Sequence, residues 1–176
     1  MTTWVVRPFA EGDFEAVERI DTSFSTDTVL AVERTANGYE VSALPVEPAF
    51  TKKLPLDDMK AARSSWATAD VVLDEGMVFA FSSTRYHEWN RRLEIADLYV
   101  SAQHRRKGVG RALVDRVFLT AEQLGAESVW VETSNVNYPA FLAYEALGFA
   151  LCGLDTSLYT GTDAAGEVAL FMTRSL

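Results

Sequence analysis

Arg105-Arg106-Lys107-Gly108-Val109-Gly110 sets three cations and two glycines at the mouth of a helix-patterned stretch. The first turn of a helix carries unpaired backbone N–H groups and the positive end of the helix dipole, so such a start suits an anion. The glycines let a phosphate approach the backbone closely, and the cations add charge. The physics describes a pyrophosphate cradle; a glycine-rich turn capping a surface helix, with its charges in water, is the plainer alternative. Two other phosphate-binding patterns are absent: there is no Gly-x-x-x-x-Gly-Lys-Ser/Thr, and Leu113 stands where the dinucleotide fingerprint has its third glycine. A second stretch, residues 131–149, spaces Asn137, Ala140, Tyr144 and Gly148-Phe149 after a strand. On residue type alone, Asn137 suits a helix N-cap and Tyr144 an aromatic packed on one helix face. Glu94 and Asp97 lie in a strand close to Arg91 and Arg92, where an exposed or ion-paired carboxylate is the ordinary outcome. The two histidines, His87 and His104, have no partners at metal-ligand spacing, so no metal is expected. Cys152 reads as a small core residue rather than a nucleophile.

The elements that must position these residues read as a mixed α/β domain. Thr3 to Arg7 forms a first strand that Pro8 stops, and an acidic amphipathic helix follows from Glu11 to Ile20. Residues 21–38, rich in Ser, Thr and Asp, read as loop or short helix. Tyr39 to Leu44 alternates as a strand, Pro45, Pro48 and Pro55 break the next stretch, and a helix is expected from Asp57 to Thr68. Val71 to Leu73 and Met77 to Thr84 flank Asp74-Glu75-Gly76 as a hairpin. Leu93 to Val100 is a further strand. Gly108 to Leu124 carries the strongest helical period, with Val109, Ala112, Leu113, Val117, Ala121 and Leu124 on one face and Gly125 at its end. Ser128 to Glu132 is a short strand. Pro139 to Leu147 is a helix with proline in its first turn and Gly148 just past its end. Phe149 to Leu154 and Glu167 to Thr173 complete the chain as two strands.

The 176 residues suit one domain, 1–176, and the 48% apolar content suffices for a core. A single cysteine excludes an intrachain disulfide and fits a reducing cytosol. The N-terminus lacks a basic start followed by a long apolar stretch, and no apolar run approaches membrane-span length, so a cytoplasmic protein without a membrane partner is expected. The net charge of −9 is unevenly spread. Residues 85–116 hold eight of the sixteen Lys and Arg against four of the twenty-five acids, so that window carries +4 and the remainder −13. A basic island suggests a localised anionic ligand. The acidic remainder attracts a cationic partner and repels nucleic acid.

Taken together and in order, the two motif stretches resemble the acetyl-CoA signature of the GNAT superfamily, Arg/Gln-x-x-Gly-x-Gly/Ala followed by Asn-x-x-Ala-x-x-x-Tyr-x-x-x-Gly-Phe, over about Leu93 to Phe149. The chain also resembles the streptothricin acetyltransferases in Asp21-Thr22-Ser23-Phe24-Ser25-Thr26, Trp89-Asn90, Ala150-Leu151-Cys152-Gly153-Leu154-Asp155, Leu158-Tyr159 and Gly166-Glu167-Val168-Ala169-Leu170. These segments lie outside the cofactor signature and bear on substrate, with Asp21 and Asp155 as acidic candidates.

The resemblance implies the GNAT fold: a mixed, mostly antiparallel twisted sheet with flanking helices and a splayed central strand pair. It implies acetyl-CoA as cosubstrate, with Leu98, Tyr99 and Val100 pairing with pantetheine through their backbones. Arg105, Arg106, Lys107, Gly108, Val109 and Gly110 would hold the pyrophosphate, and Asn137 would sit near the pantetheine arm. The acceptor implied is a cationic small-molecule amine, on the β-lysine portion of a polycationic antibiotic. A GNAT enzyme of another amine (polyamine, amino acid or protein) and a non-catalytic acyl-CoA-binding module stay open, as does a homodimer. An alkyl amine with a pKa near ~10.4 is mostly protonated at neutral pH, so a base must deprotonate it. Tyr144 matches the family's proton donor to the departing thiolate. In the central strand the family's Ile-Glu-Asp-Ile is replaced by Ile95-Ala96-Asp97-Leu98. Glu94, on the face of Ala96 in a regular strand and roughly 6.6 Å from it, is the first choice as base. Asp97, facing the other way in a regular strand, is the second, and a bulge would change that phase.

Overall fold

Alternating apolar residues in strands and a 3.6-residue apolar period in helices generate, in chain order, β1 (Val5–Pro8), α1 (Phe14–Glu18), β2 (Phe24–Thr35), β3 (Gly38–Lys52), α2 (Met59–Ala62), β4 (Thr68–Asp74), β5 (Met77–His87), β6 (Arg92–Val100), α3 (Val109–Leu124), β7 (Ser128–Ser134), α4 (Tyr138–Ala146), β8 (Ala150–Asp155) and β9 (Ala169–Ser175). The computed structural model describes residues 4–56 and 59–176. Thr3 and Asp57, the expected starts of the first strand and second helix, lie outside the described residues. The fold is mixed α/β, with mostly antiparallel strands and flanking helices, as expected. Backbone contacts divide the chain into two units: Lys53–Trp130 with the residues up to Ser23 and the last two, and Phe24–Lys52 with Val131–Arg174.

In the first unit, β1, β4, β5 and β6 lie side by side in that order and antiparallel. The apolar face of α3 buries Val109 and Leu113 against Val72, Phe79 and Ala80, with Leu98 and Val100 of β6 at the edge. The opposite face packs Phe81 and Val71 against Val17 and Ile20, beside Met59 and Trp66, with Tyr99 at its margin. Successive residues of β6 thus alternate between two cores, as the pleat requires. The acidic helix is shorter than its pattern suggests. A 3-10 turn, Glu11–Asp13, replaces its start, because Asp13 turns back to accept from Arg7 and the Ala10 amide. The helix expected up to Thr68 ends early: a 3-10 turn, Arg63–Ser65, follows α2, and Thr68 opens β4.

In the second unit, β8 and β9 pair antiparallel with β7 beside β9. Residues 24–35, expected as loop or short helix, are instead the strand β2, paired with β3 as a two-stranded ribbon. Phe24, Thr26 and Leu30 are buried, but polar residues between them hide the strand pattern. Pro45 and Pro48 do not end β3, because both strands of a ribbon are edges and an edge tolerates missing N–H groups. Asn135 fastens the ribbon. Its carbonyl accepts from the Leu30 amide at 2.8 Å, and its side-chain NH₂ donates to the Leu30 carbonyl at 2.8 Å. Its own amide donates to the Val168 carbonyl at 2.9 Å, and its Oδ1 accepts from the Val168 amide at 2.8 Å. Cys152 is exposed on β8 rather than in the core, its thiol donating to the Phe171 carbonyl at 3.3 Å. No helix among the described residues is long and apolar enough to cross a membrane.

Candidate active site

Strand register decides how the two carboxylates of β6 relate. Ser83 stands opposite Asp97 and Thr84 opposite Ile95, so Ala96 is an extra residue and forms a β-bulge. The bulge reverses the phase of the strand. Asp97 does not face away from Glu94, as a regular strand would have it; both join the side chains of Ser83, Arg85 and His87 in one polar row.

The two carboxylates have different partners. Glu94 Oε1 accepts from Arg85 Nη1 at 3.1 Å, and its Oε2 lies 2.8 Å from His87 Nε2. Its side chain is only 14% exposed, and the Arg85 ion pair and the His87 contact take one oxygen each. Asp97 Oδ2 accepts from the Ser83 hydroxyl, and its Oδ1 accepts from the Tyr99 hydroxyl at 3.2 Å. Burial pushes the Asp97 carboxyl above its ordinary value; the two hydroxyls and the Arg85 charge pull it back only in part, and Glu94 pushes it further up. Asp97 is therefore the carboxylate with raised proton affinity, and Glu94 is the one in contact with Arg85.

The cradle lies past the end of the same strand. A 3-10 turn, Ala102–His104, leads to Arg105, and Arg106 (φ 58) and Gly108 (φ 83) take left-handed conformations before α3 begins. Gly108 is the N-cap and supplies no side chain to the first turn, which contains no acid. A Cβ at Gly108 or Gly110 would meet nothing within 4 Å, so the protein leaves open the space that a phosphate at this helix start requires. The residues fit a pyrophosphate. Arg106, Lys107 and Gly108 are exposed, whereas Val109 is buried as an anchor for α3. Arg105 is tied down: its Nε donates to the Val100 carbonyl at 2.9 Å, and burial lowers its proton affinity against the pull of Asp21. Asp21 is exposed, and its carboxyl is held low by Ser23, whose amide donates to Oδ1 at 3.0 Å.

In the second unit, Asn137 caps α4, its Oδ1 accepting from the Ala140 amide at 3.3 Å, and Pro139 stands in the first turn. Tyr144 is buried on α4 with its ring 5.7 Å from that of Phe149 in edge contact. Asp155 is bound locally, accepting from the amide and hydroxyl of Ser157, each at 2.7 Å, which lowers its carboxyl. Tyr159 donates to Glu132, and burial with that contact pushes its hydroxyl far up. Glu167 takes the Ser134 hydroxyl at 2.5 Å and the Lys52 ammonium. Sequence reasoning missed Ser83, Arg85, His87, Glu132 and Asn135 as partners. Only the register of β5 against β6 could have revealed the first three, although Ser83, Arg85 and His87 already share a two-residue spacing.

The model of the acetyltransferase (GNAT) family matches residues 32–149. A streptothricin acetyltransferase of Streptomyces lavendulae is 38% identical over 179 residues, covering 98% of this chain and 95% of that protein. The crystal structure of a nourseothricin acetyltransferase is similar with a TM-score of 0.91 at 41% identity, over 99% of each chain. A Bacillus anthracis str. Ames structure in complex with acetyl coenzyme A shares the fold, with a TM-score of 0.81 at 22% identity over 98% of this chain and 97% of that one. With the family match spanning both the polar row of β6 and the cradle of α3, the chain belongs to the acetyltransferase (GNAT) family.

Proposed function

We propose that the protein acts as a single domain that acetylates a primary amine on the β-lysine portion of a streptothricin-class antibiotic and so confers resistance. The observation that carries this reading is the likeness to the Streptomyces lavendulae enzyme along 98% of the chain, well beyond the cofactor signature. Two features support it. The charge of −13 outside residues 85–116 favours capture of a polycation, and the single cysteine suits action in the cytoplasm.

Acetyl-CoA supplies the activated acetyl group as a thioester. The open helix start at Gly108 and Gly110, with Arg106 and Lys107, holds its pyrophosphate. The backbone of Leu98, Tyr99 and Val100 pairs with the pantetheine arm, and Asn137 caps α4 to place Tyr144. Asp97 takes one proton from the substrate ammonium, which exposes the nitrogen lone pair for C–N bond formation. Tyr144 gives its hydroxyl proton to the sulfur as the C–S bond breaks, and the second nitrogen proton restores it through water. Asp97 releases its proton to solvent. Direct transfer needs no covalent enzyme intermediate.

The test is acetyl-CoA consumption against a panel of streptothricin, polyamines, amino acids and peptides. Turnover of streptothricin at a kcat/KM well above the other amines is the expected result. Preference for another amine replaces the substrate, and binding of acetyl-CoA without turnover of any amine points to the binding module. For the cradle, Gly110→Val keeps an allowed backbone and is expected to weaken acetyl-CoA binding roughly tenfold or more by blocking phosphate approach. Gly108→Val is the poorer probe, because φ 83 strains a β-branched residue with or without ligand. Unchanged affinity in a folded Gly110→Val protein refutes this placement of the pyrophosphate.

A further inference from the structure

We infer that Ser83 and Tyr99 are positioning residues for acetyl transfer, orienting the Asp97 carboxyl and setting the pH at which it accepts a proton. The inference rests on the reading of Asp97 as the base. Neither residue needs to touch substrate to act in this way; both act through Asp97.

The geometry is set from two sides. Ser83 is fully buried on β5, between Ala69 of β4 and Asp97 of β6, and its hydroxyl donates to Asp97. Tyr99 stands two residues beyond Asp97, on the same face and opposite Phe81, with its ring against the core around Trp66 and Phe81. One hydroxyl meets each carboxyl oxygen of Asp97, which fixes the plane of the group. The chemistry of the partners matters as much as their position. A hydroxyl donates to a carboxylate and can turn to accept from a carboxylic acid. The contact therefore survives when Asp97 gains its proton, and the group can cycle. A guanidinium in the same place would only donate and would favour the anion throughout.

The charged neighbours on this face are Arg85 of β5 and Glu94 of β6, and His87 lies behind Glu94. Arg85 draws the Asp97 carboxyl down and Glu94 pushes it up, while both hydroxyls draw it down against the effect of burial. Removing either hydroxyl therefore moves the acceptance of a proton to higher pH. The amine-proton transfer itself is unchanged: the N–H bond breaks, the O–H bond forms on Asp97, and no charge is created or lost.

The experiment compares pH profiles of kcat/KM for the parent, Ser83→Ala, Tyr99→Phe and Asp97→Asn with the same amine, alongside carbon NMR titration of the Asp97 carboxyl in the first three. The acid limb is expected to move to higher pH in Ser83→Ala and by less in Tyr99→Phe, whose hydroxyl has the smaller influence on the carboxyl. On the acid side the rate should fall roughly three- to tenfold further than on the alkaline plateau. The carboxyl midpoint should move with it. A uniform loss at all pH values, or a carboxyl midpoint at the parental value in both variants, overturns the inference. If Asp97→Asn abolishes the acid limb while Ser83→Ala and Tyr99→Phe leave it in place, the inference fails and the base stands. If Asp97→Asn keeps the parental limb, the base reading fails first and takes the inference with it. Should Ser83→Ala melt below the assay temperature, Tyr99→Phe decides alone.

Discussion

Asp13 and Asp97 belong to the same unit, and each accepts hydrogen bonds on both oxygens, yet their proton affinities move in opposite directions. Asp13 meets the two arms of the Arg7 guanidinium, each at 2.7 Å, and the Ala10 amide at 2.8 Å. The Arg7 hydrogen bond outweighs burial there, and the carboxyl is held low. Asp97 meets two neutral hydroxyls, and burial outweighs them. The number of hydrogen bonds is thus a poor guide to what a carboxylate does. A cationic donor keeps the carboxyl an anion to lower pH and ties β1 to the turn before α1. Neutral donors orient a carboxyl and leave it able to take up a proton.

The largest expected effect separates the two in activity. Asp97→Asn should lower kcat by roughly 10²–10⁴-fold, the usual contribution of a general base. Asp13→Asn should leave steady-state acetyl transfer close to the parent at a temperature where both are folded. A parental kcat in Asp97→Asn would erase the contrast.

In stability the order reverses. Asp13→Asn should cost about 1–2 kcal/mol in urea unfolding at neutral pH, discounted because the Arg7 side chain is 41% exposed. A carboxyl with a lowered folded pKa stabilises above the unfolded value and loses that contribution as pH falls through the folded one. The gap between parent and Asp13→Asn should therefore close in acid. Asp97 has the opposite sign. Its raised folded pKa means that the buried anion costs stability at neutral pH, and that cost is relieved as pH falls through the folded value. Asp97→Asn should be as stable as the parent or slightly more so at neutral pH, by up to about 1 kcal/mol. A large destabilisation would mean that Asp97 is a structural anion like Asp13.

The smallest effect falls on Glu94, whose Arg85 partner is 35% exposed. Glu94→Gln should cost under about 1 kcal/mol of stability, and it should reduce kcat less than Asp97→Asn does. Its acid limb should remain. If the limb instead disappears in Glu94→Gln and persists in Asp97→Asn, the two carboxylates exchange roles.

The helix start at Gly108 was legible in the sequence because its causes are local. The helical period from Val109 to Leu124 fixes a helix start, and two glycines with three cations mark what that start can hold. The same is true of the Asn137 cap and of Gly148, which takes φ 88 just past α4. The phase of β6 was not legible. Nothing in Ile95-Ala96-Asp97 announces an extra residue; it exists only relative to Ser83 and Thr84 on another strand. For that reason the chain alone favours Glu94 as base, and only the paired strands show its contacts with Arg85 and His87. The β2–β3 ribbon escaped for a compositional reason. Its Thr, Ser and Asp residues resemble a loop, and Pro45 and Pro48 resemble breaks, until pairing makes them an edge.

Asn135 has a consequence for the timescale on which the ribbon opens. Each half of this residue bonds in two directions, so one side chain acts as a missing length of strand between Leu30 and Val168. Amide hydrogens exchange with solvent when the structure around them opens, and opening free energies range from near zero at frayed ends to the global value in cores. The Leu30 and Val168 amides should accordingly exchange together and slowly, while amides toward the Thr35–Gly38 tip exchange early. In Asn135→Ala the Leu30 amide keeps its backbone acceptor and Val168 loses its own. The two rates should then part, with Val168 the faster, so the ribbon would fluctuate independently of the strand that follows Val168.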